Sequence, residues 1–393
     1  MNWDVRQAGA VVVGGDYQGL AIARSIGRRG APVCVIDDEL SIARFSRYVT
    51  HYLRVRDLRD ESHCVETLLR IGRRLGLAGW VVFPTREETV AACSRHRSEL
   101  SALYRIPTPE WDAVQWAWDK RNTYGRAQAI GIPTPRTWQP SGPSELTALA
   151  RHLPLVIKPA IKEHFFYEAK AKAWRADTMD ELLRAFGEAA AITDPEEIIV
   201  QELIPGTGRD RVAYCAFFKA GRAVASMTVR RLRQHPPQFG RASTLVETVE
   251  LPALEEPSTK FLSDIDYYGL VELEYMLDHR DGTYKLLDVN ARTWGYHSLG
   301  AAAGVDFPAL LFADQMGEMP APARPARAGV RWIRLMTDTP TALGEVATGG
   351  LGPREYLRSL RGLDTEAVLA RDDPVPFVAE AALLPYLMVK KGY

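Results

Sequence analysis

The sequence predicts an α/β domain with an open parallel sheet, followed by an α+β region of antiparallel strands. Three observations carry this. Near the start, apolar runs at Ala10-Val-Val-Val13, Pro32-Val-Cys-Val-Ile-Asp37 and Trp80-Val-Val-Phe-Pro84 alternate with helical stretches, the pattern of βαβ units. The alternation lapses near Pro107 and Pro109, and after that point strands succeed one another. Late in the chain, Gly269-Leu-Val-Glu-Leu-Glu-Tyr-Met-Leu-Asp278 and Tyr284-Lys-Leu-Leu-Asp-Val-Asn-Ala-Arg292 both alternate with period two, as paired strands do.

Composition narrows the class. A chain of 393 residues has length for one to three domains with real cores. Lysine plus arginine (49) equals aspartate plus glutamate (49), so no net field draws it to nucleic acid. The four cysteines form no CxxC, and the eight histidines form no HxxxH or HExxH. That usage fits buried thiols in a reducing cytoplasm. The chain enters its first strand after a short polar leader, without a signal-peptide pattern. Its longest apolar run, 377–388, is interrupted by Glu380 and Pro385, so we expect a packed terminal helix and no membrane span.

Taken in order, strand 10–13 enters the Gly14-Gly15 turn and a helix over 20–29. Strand 32–37 follows and ends in Asp37, about 20 residues on, where a dinucleotide fold keeps its ribose-binding acid. The glycines depart from G-x-G-x-x-G, which leaves a nicotinamide-dependent dehydrogenase as a rival reading. Asp16, Tyr17 and Glu87 sit at strand carboxyl ends, where ligands collect in such sheets; turn chemistry explains Asp16 equally well. Asp119-Lys120 opens a helix that Gly131 closes. Strand 153–158 ends at Lys158-Pro159, and the stretch to Ala173 carries Lys162, Lys170 and Lys172. A helix is expected over 178–190, then a strand over 198–204 and a loop ending at Asp210. Strands over 211–219 and 222–230 lead into Arg230-Arg-Leu-Arg233, a carboxylate or phosphate binder or an exposed basic loop. After a helix over 258–267 and the period-two pair come Trp294 and His297, as pocket lining or packing. A proline-rich linker, a strand over 330–335 and a mainly helical tail complete the chain.

In the period-two pair, Glu272 and Glu274 point one way, as do Asp288, Asn290 and Arg292 on the second strand. The polar faces coincide only across an odd loop, so a loop of three or five residues is predicted, with Gly282 at positive φ. Glu274 then faces Asp288 and Glu272 faces Asn290, Cβ atoms roughly 5 Å apart. Two carboxylates and an amide at that spacing suit a hard cation such as Mg²⁺. The bland alternative is a solvated strand face.

Phe83-Pro-Thr85, Asp119-Lys120, Val156-Ile-Lys-Pro159, Lys172-Ala-Trp174, Val200-Gln-Glu-Leu-Ile-Pro-Gly206, Glu274-Tyr-Met-Leu-Asp278 and Asp288-Val-Asn-Ala-Arg292 occur in a fixed order. That order resembles the ATP-grasp superfamily, and most nearly its carboxylate–amine ligase branch. The resemblance implies a pre-ATP-grasp α/β domain (1–115) and a two-part ATP-grasp domain with antiparallel sheets. The latter divides into a small subdomain (116–198) and a central subdomain with the metal hairpin (199–318), followed by a linker and C-terminal extension (319–393). It implies ATP and Mg²⁺. Lys120 and Lys158 would neutralise phosphate oxygens, and Lys172 or Lys170 would reach over them. Gln201, Glu202, Leu203 and Ile204 would form the adenine hinge, with Glu202 accepting from the adenine amino group, and Asp210 would meet the ribose. Glu274, Asp288 and Asn290 would hold the metal. Arg292 would stabilise the transferring phosphoryl group. Apart from the resemblance, the basic run offers Arg233 as a further catalytic arginine. The usual glutamate is Asp288 here, and the usual proline before the arginine is Ala291. The implied reaction joins a small carboxylate, activated as an acyl phosphate, to an amine; amino acids or small peptides are the expected partners, and a homodimer is allowed. An ATP-grasp carboxylase acting through carboxyphosphate and a non-catalytic ATP-binding module are the alternatives.

Overall fold

A computed structural model of the chain describes residues 8–163, 165, 169, 171–240, 242–318 and 325–391, side chains from 387 onward excepted. Lys170 and most of the proline-rich linker therefore lie outside the described residues.

Three sheets organise the molecule. Strands β1 (Ala10–Val13), β2 (Val33–Asp37), β3 (His51–Arg54) and β4 (Val81–Pro84) form a parallel sheet in the order β3-β2-β1-β4. The first two strands and most of β4 are buried apolar runs, as strands covered on both faces must be. The second sheet holds β5 (Thr137–Trp138), β6 (Leu155–Pro159), β7 (Trp174–Ala176) and β8 (Ile198–Glu202) in the antiparallel order β5-β8-β6-β7. Helix Met179–Ala190 covers one face of it, seating Leu182 and Phe186 beside Leu155, Ile157 and Val200.

The third sheet carries the period-two hairpin. Its strands are β9 (Arg211–Lys219), β10 (Arg222–His235), β11 (Ala242–Val249), β12 (Gly269–Asp278), β13 (Thr283–Asn290), β14 (Arg331–Ile333) and β15 (Thr365–Glu366), in the order β13-β12-β9-β10-β11-β14-β15. The basic run at 230–235, read from sequence as a segment beyond the strand, continues β10 itself. The back face, with Tyr214, Phe218, Leu273 and Tyr275, packs on helices Trp111–Trp118 and Glu255–Asp264. The front face, with Ala213, Cys215 and Phe217, shares one apolar core with the N-terminal sheet. All four cysteines are buried thiols.

The tail completes the third sheet and joins it to the first helix of the chain. Strand β14 pairs with β11, and β15 runs parallel to β14. Arg24 on helix Tyr17–Gly27 makes a 2.9 Å ion pair with Asp373 and donates to the Val368 carbonyl, all buried. Glu380 on the closing helix Val375–Lys391 pairs with Arg334 at 2.9 Å.

Candidate active site

The hairpin has the expected register for an unexpected reason. Glu274 lies opposite Asp288 and Glu272 opposite Asn290. The connection His279-Arg280-Asp281-Gly282 has four residues, however, not three or five. A bulge corrects the parity: Glu274 pairs with Asp288 while Tyr275 pairs with Leu286, leaving Leu287 unpaired. One extra residue on one strand restores coincident faces and bends the strand. Leu286 is therefore the residue that enters the core, whereas Leu287 turns with Asp288 toward a cavity. Gly282 takes φ +71° as anticipated.

Two cavities meet at this hairpin. The larger, about 1090 Å³, runs between the second and third sheets. Gln201, Glu202, Leu203 and Ile204 line one end, and Lys120, Lys158, Lys172, Glu274 and Asp288 line the other. The smaller, about 200 Å³, opens toward the N-terminal sheet, where Tyr17, Glu87 and Arg292 face Glu272 and Asn290. Lys172 and Glu274 belong to both.

Local structure places each lysine. Asp119 caps helix Lys120–Ala129 by accepting from Arg121 N, which sets Lys120 at its first turn. Lys120 Nζ sits 2.8 Å from Asp288 Oδ1. One turn on, Tyr124 accepts from Lys158 Nζ and donates to the Leu287 carbonyl, both at 2.6 Å. Arg231 pairs with Glu274 at 3.2 Å. Arg211, first residue of β9, lies opposite Met276, two positions beyond Glu274.

Charge is crowded here, and burial sorts it. Burial opposes ionisation of Glu274, yet Arg231, Lys172 and Arg211 hold its carboxyl well below the usual range. Asp288 is likewise held down by Lys120 against burial. Burial pushes Glu272 up to about 7, helped by the neighbouring Glu274; Tyr296 donates a short hydrogen bond to it. Lys158 is pulled down to about 7 by burial and then by Lys120, and Lys172 to about 8, chiefly by burial. Burial and then Arg231 lower Arg211 to about 10. Cations thus outnumber ionised acids, an arrangement suited to a polyphosphate.

The donor set fits a hard cation. Glu274 and Asp288 are both kept ionised on facing positions, and every candidate ligand is an oxygen. Asn290 presents its amide between Glu272, 3.1 Å from its nitrogen, and Arg292, 3.3 Å from its oxygen. Among the described residues no group of three or more His, Cys, Asp or Glu side chains closes around a metal position. Mg²⁺ commonly takes one or two carboxylates and completes its shell with phosphate and water.

Several expected residues stand elsewhere. Arg233 leaves the site: the register shifts on either side of it, turning Arg231 toward Glu274 and Arg233 to the back of the sheet. There Asp338 holds it at 2.7 Å and it donates to Ser359 at 2.6 Å. Asp210 caps its own loop by accepting from Thr207 N at 2.6 Å and meets His279 at 2.9 Å, outside the large cavity. Glu202 stays on the cavity wall, but its carboxylate accepts from Arg136 N at 3.0 Å and pairs with Arg280 at 3.0 Å and Lys285 at 3.4 Å. Arg292 lies 2.8 Å from Glu87, pointing at the small cavity. Trp294 packs 5.0 Å from the Phe307 ring, and His297 meets the Gln18 carbonyl at 3.0 Å; neither lines the two cavities at the hairpin. Asp16 is a helix cap.

The dinucleotide reading meets a physical obstacle. Asp37 accepts from Gly15 N at 2.6 Å and pairs with Arg86 at 2.8 Å while fully buried. The carboxylate thus uses the glycine-turn N–H a pyrophosphate would need and is closed to a ribose.

Sequence reasoning missed Tyr124, Arg211 and Tyr296. Helical spacing from Lys120 could have revealed Tyr124, and strand parity with Ala213 could have revealed Arg211. Tyr296 gave no signal.

No family model matches the chain. It is 23% identical over 300 residues to D-aspartate ligase of Enterococcus faecium (strain Aus0004), covering 72% of this chain and 70% of that one. Among solved structures it resembles L-amino acid ligase of Bacillus licheniformis, with a TM-score of 0.62 and 18% identity over 81% of this chain and 77% of that one. It also resembles the biotin carboxylase domain of Hydrogenobacter thermophilus 2-oxoglutarate carboxylase in complex with MgADP, ADP and bicarbonate, with a TM-score of 0.63 and 14% identity over 82% and 73% of the two chains. A parallel N-terminal sheet, two antiparallel sheets with a cleft between them, and these likenesses agree: the chain has the ATP-grasp fold.

Proposed function

We propose that the chain is an ATP-dependent ligase joining a small carboxylate to an amine through an acyl phosphate. The observation that carries this is the junction of two cavities at Lys172 and Glu274, one long enough for a nucleotide and one sized for an amino acid. The adenine would lie against Gln201–Ile204, Met276 and Leu287, reading backbone edges, since Glu202 is already paired. Lys120, Lys158 and Lys172 would meet the phosphates as compact point charges. Glu274, Asp288 and the Asn290 oxygen would hold Mg²⁺, which when bound neutralises the oxygens of the transferring group. A carboxylate in the small cavity would attack the γ-phosphorus, releasing ADP. Arg292, held by Glu87, would face the charge that develops. An amine would then displace phosphate from the anhydride, giving the amide. The buried thiols fit a cytoplasmic setting.

The test is an ADP-release screen with Mg²⁺ and paired amino acids or small peptides, followed by mass detection of the amide. ADP release requiring both a carboxylate and an amine is expected. Release that depends on bicarbonate alone would instead favour the carboxylase reading, and no release under any pair would remove the ligase assignment.

A further inference from the structure

The Arg230-Arg-Leu-Arg233 run is split between the two faces of the sheet, and only Arg231 enters the proposed active site. Arg230 and Arg233 line a separate cavity of about 510 Å³ on the back face, with Arg209, Arg331 and Arg358. Its floor is apolar, formed by Val212, Leu232, Leu245 and Leu277. The tail supplies the opposite wall, with Arg331 on β14, which pairs with β11, and with Glu355, Arg358 and Ser359.

Charge on this wall is not balanced. The acids that line it are Asp210 and Glu355, already paired with His279 at 2.9 Å and Arg209 at 2.5 Å. Asp338 and Glu247 hold Arg233 and Arg331 from the side. Among the described residues neither Arg230 nor Arg358 makes an ion pair at contact distance, although Arg358 adds to Arg209 in holding the Glu355 carboxyl down. An apolar floor rimmed by arginines suits a molecule with both characters, since arginine binds planar oxyanions bidentately. The volume lies in the ordinary range for small-molecule sites.

We infer that this back-face cavity is a second ligand site, distinct from the nucleotide cleft, for a small organic anion bearing a phosphate or carboxylate on an apolar body. It does not depend on the ligase reading. The two sites share one loop: Thr207 and Gly208 line the nucleotide cleft, while Arg209 and Asp210 line the back cavity.

Isothermal titration of the full chain with phenyl phosphate and with benzoate, the cleft first filled with ADP, tests the inference. Saturable binding of at least one probe is expected, and the tighter one identifies the head group. Arg358→Glu and Arg230→Glu, both exposed substitutions, should each weaken it about tenfold or more, the loss of a charge-assisted hydrogen bond, while ADP affinity stays within about twofold. Inorganic phosphate should bind more weakly than phenyl phosphate. Absence of saturable binding by both probes, displacement of them by ADP, or unchanged affinity in both variants would overturn the site. Equal affinity for inorganic and phenyl phosphate would overturn the apolar floor's part in it.

Discussion

Two clusters in this molecule bury carboxylates beside cations, and they end differently. At the first glycine turn, Asp37 meets Gly15 N, Glu39 N and Arg86, and Arg86 also holds Asp38 at 2.7 Å. Each strong acceptor there has a protein donor. On the hairpin, Lys120 meets Asp288 and Arg231 meets Glu274, both carboxylates open into a cavity, and two neighbouring lysines are loosened from their protons. Charge satisfied from within is architecture. Charge left in surplus beside a cavity is chemistry waiting for a partner of opposite sign.

Substitution should separate the two. Asp288→Asn should lower ADP release by about 10³-fold while the fold, read by circular dichroism, is retained, a loss of the size seen when one transition-state contact is removed. Retained turnover would take Asp288 out of the site.

Lys158 gives the pH signature. Its pKa near 7 leaves it charged below that pH and largely neutral at pH 8, and phosphate favours the charged form. Mg·ATP binding at pH 8 should therefore take up a proton, read by calorimetry in two buffers of different ionisation heat. At pH 6 the uptake should vanish, and Lys158→Met should reduce it at pH 8 to the share that Lys172, lowered to about 8, still takes up.

Asp37→Asn should act in the opposite sense, costing about 3 kcal/mol because Arg86 loses a buried partner, less whatever Asp38 restores. Its kcat, measured well below the melting temperature, should not change. The smallest effect belongs to Glu202→Gln. With its carboxylate committed to Arg280 and Lys285, the KM for ATP should move by less than about fivefold, roughly 1 kcal/mol.

Much of this was legible because the determinants are local. The βαβ start, the hairpin faces, the Asp119 cap and the lysine at the end of β6 follow from periodicity and capping. An extra residue in a strand is invisible to period-two counting, so the unpaired Leu287 hid the even loop, and the register shifts around Arg233 could not be foreseen to set it and Arg231 on opposite faces. The partners that Glu202 and Asp210 take in the fold were hidden for another reason. Their partners Arg280, Lys285 and His279 come from the hairpin, some 70 to 80 residues later in sequence, a contact no local pattern encodes. The tail's role was unreadable because β14 is only three residues long and gains its meaning from β11.

The most direct test of the hairpin as a phosphoryl-transfer centre is hydroxamate formation. The protein, Mg²⁺, ATP and a carboxylate identified in the ADP screen are incubated with hydroxylamine in place of the amine. An acyl phosphate made beside Glu274 and Asp288 gives the hydroxamate with one ADP for each, and Asp288→Asn gives neither. Amide formation by the intact chain with no hydroxamate, or hydroxamate formed undiminished by Asp288→Asn, would contradict it.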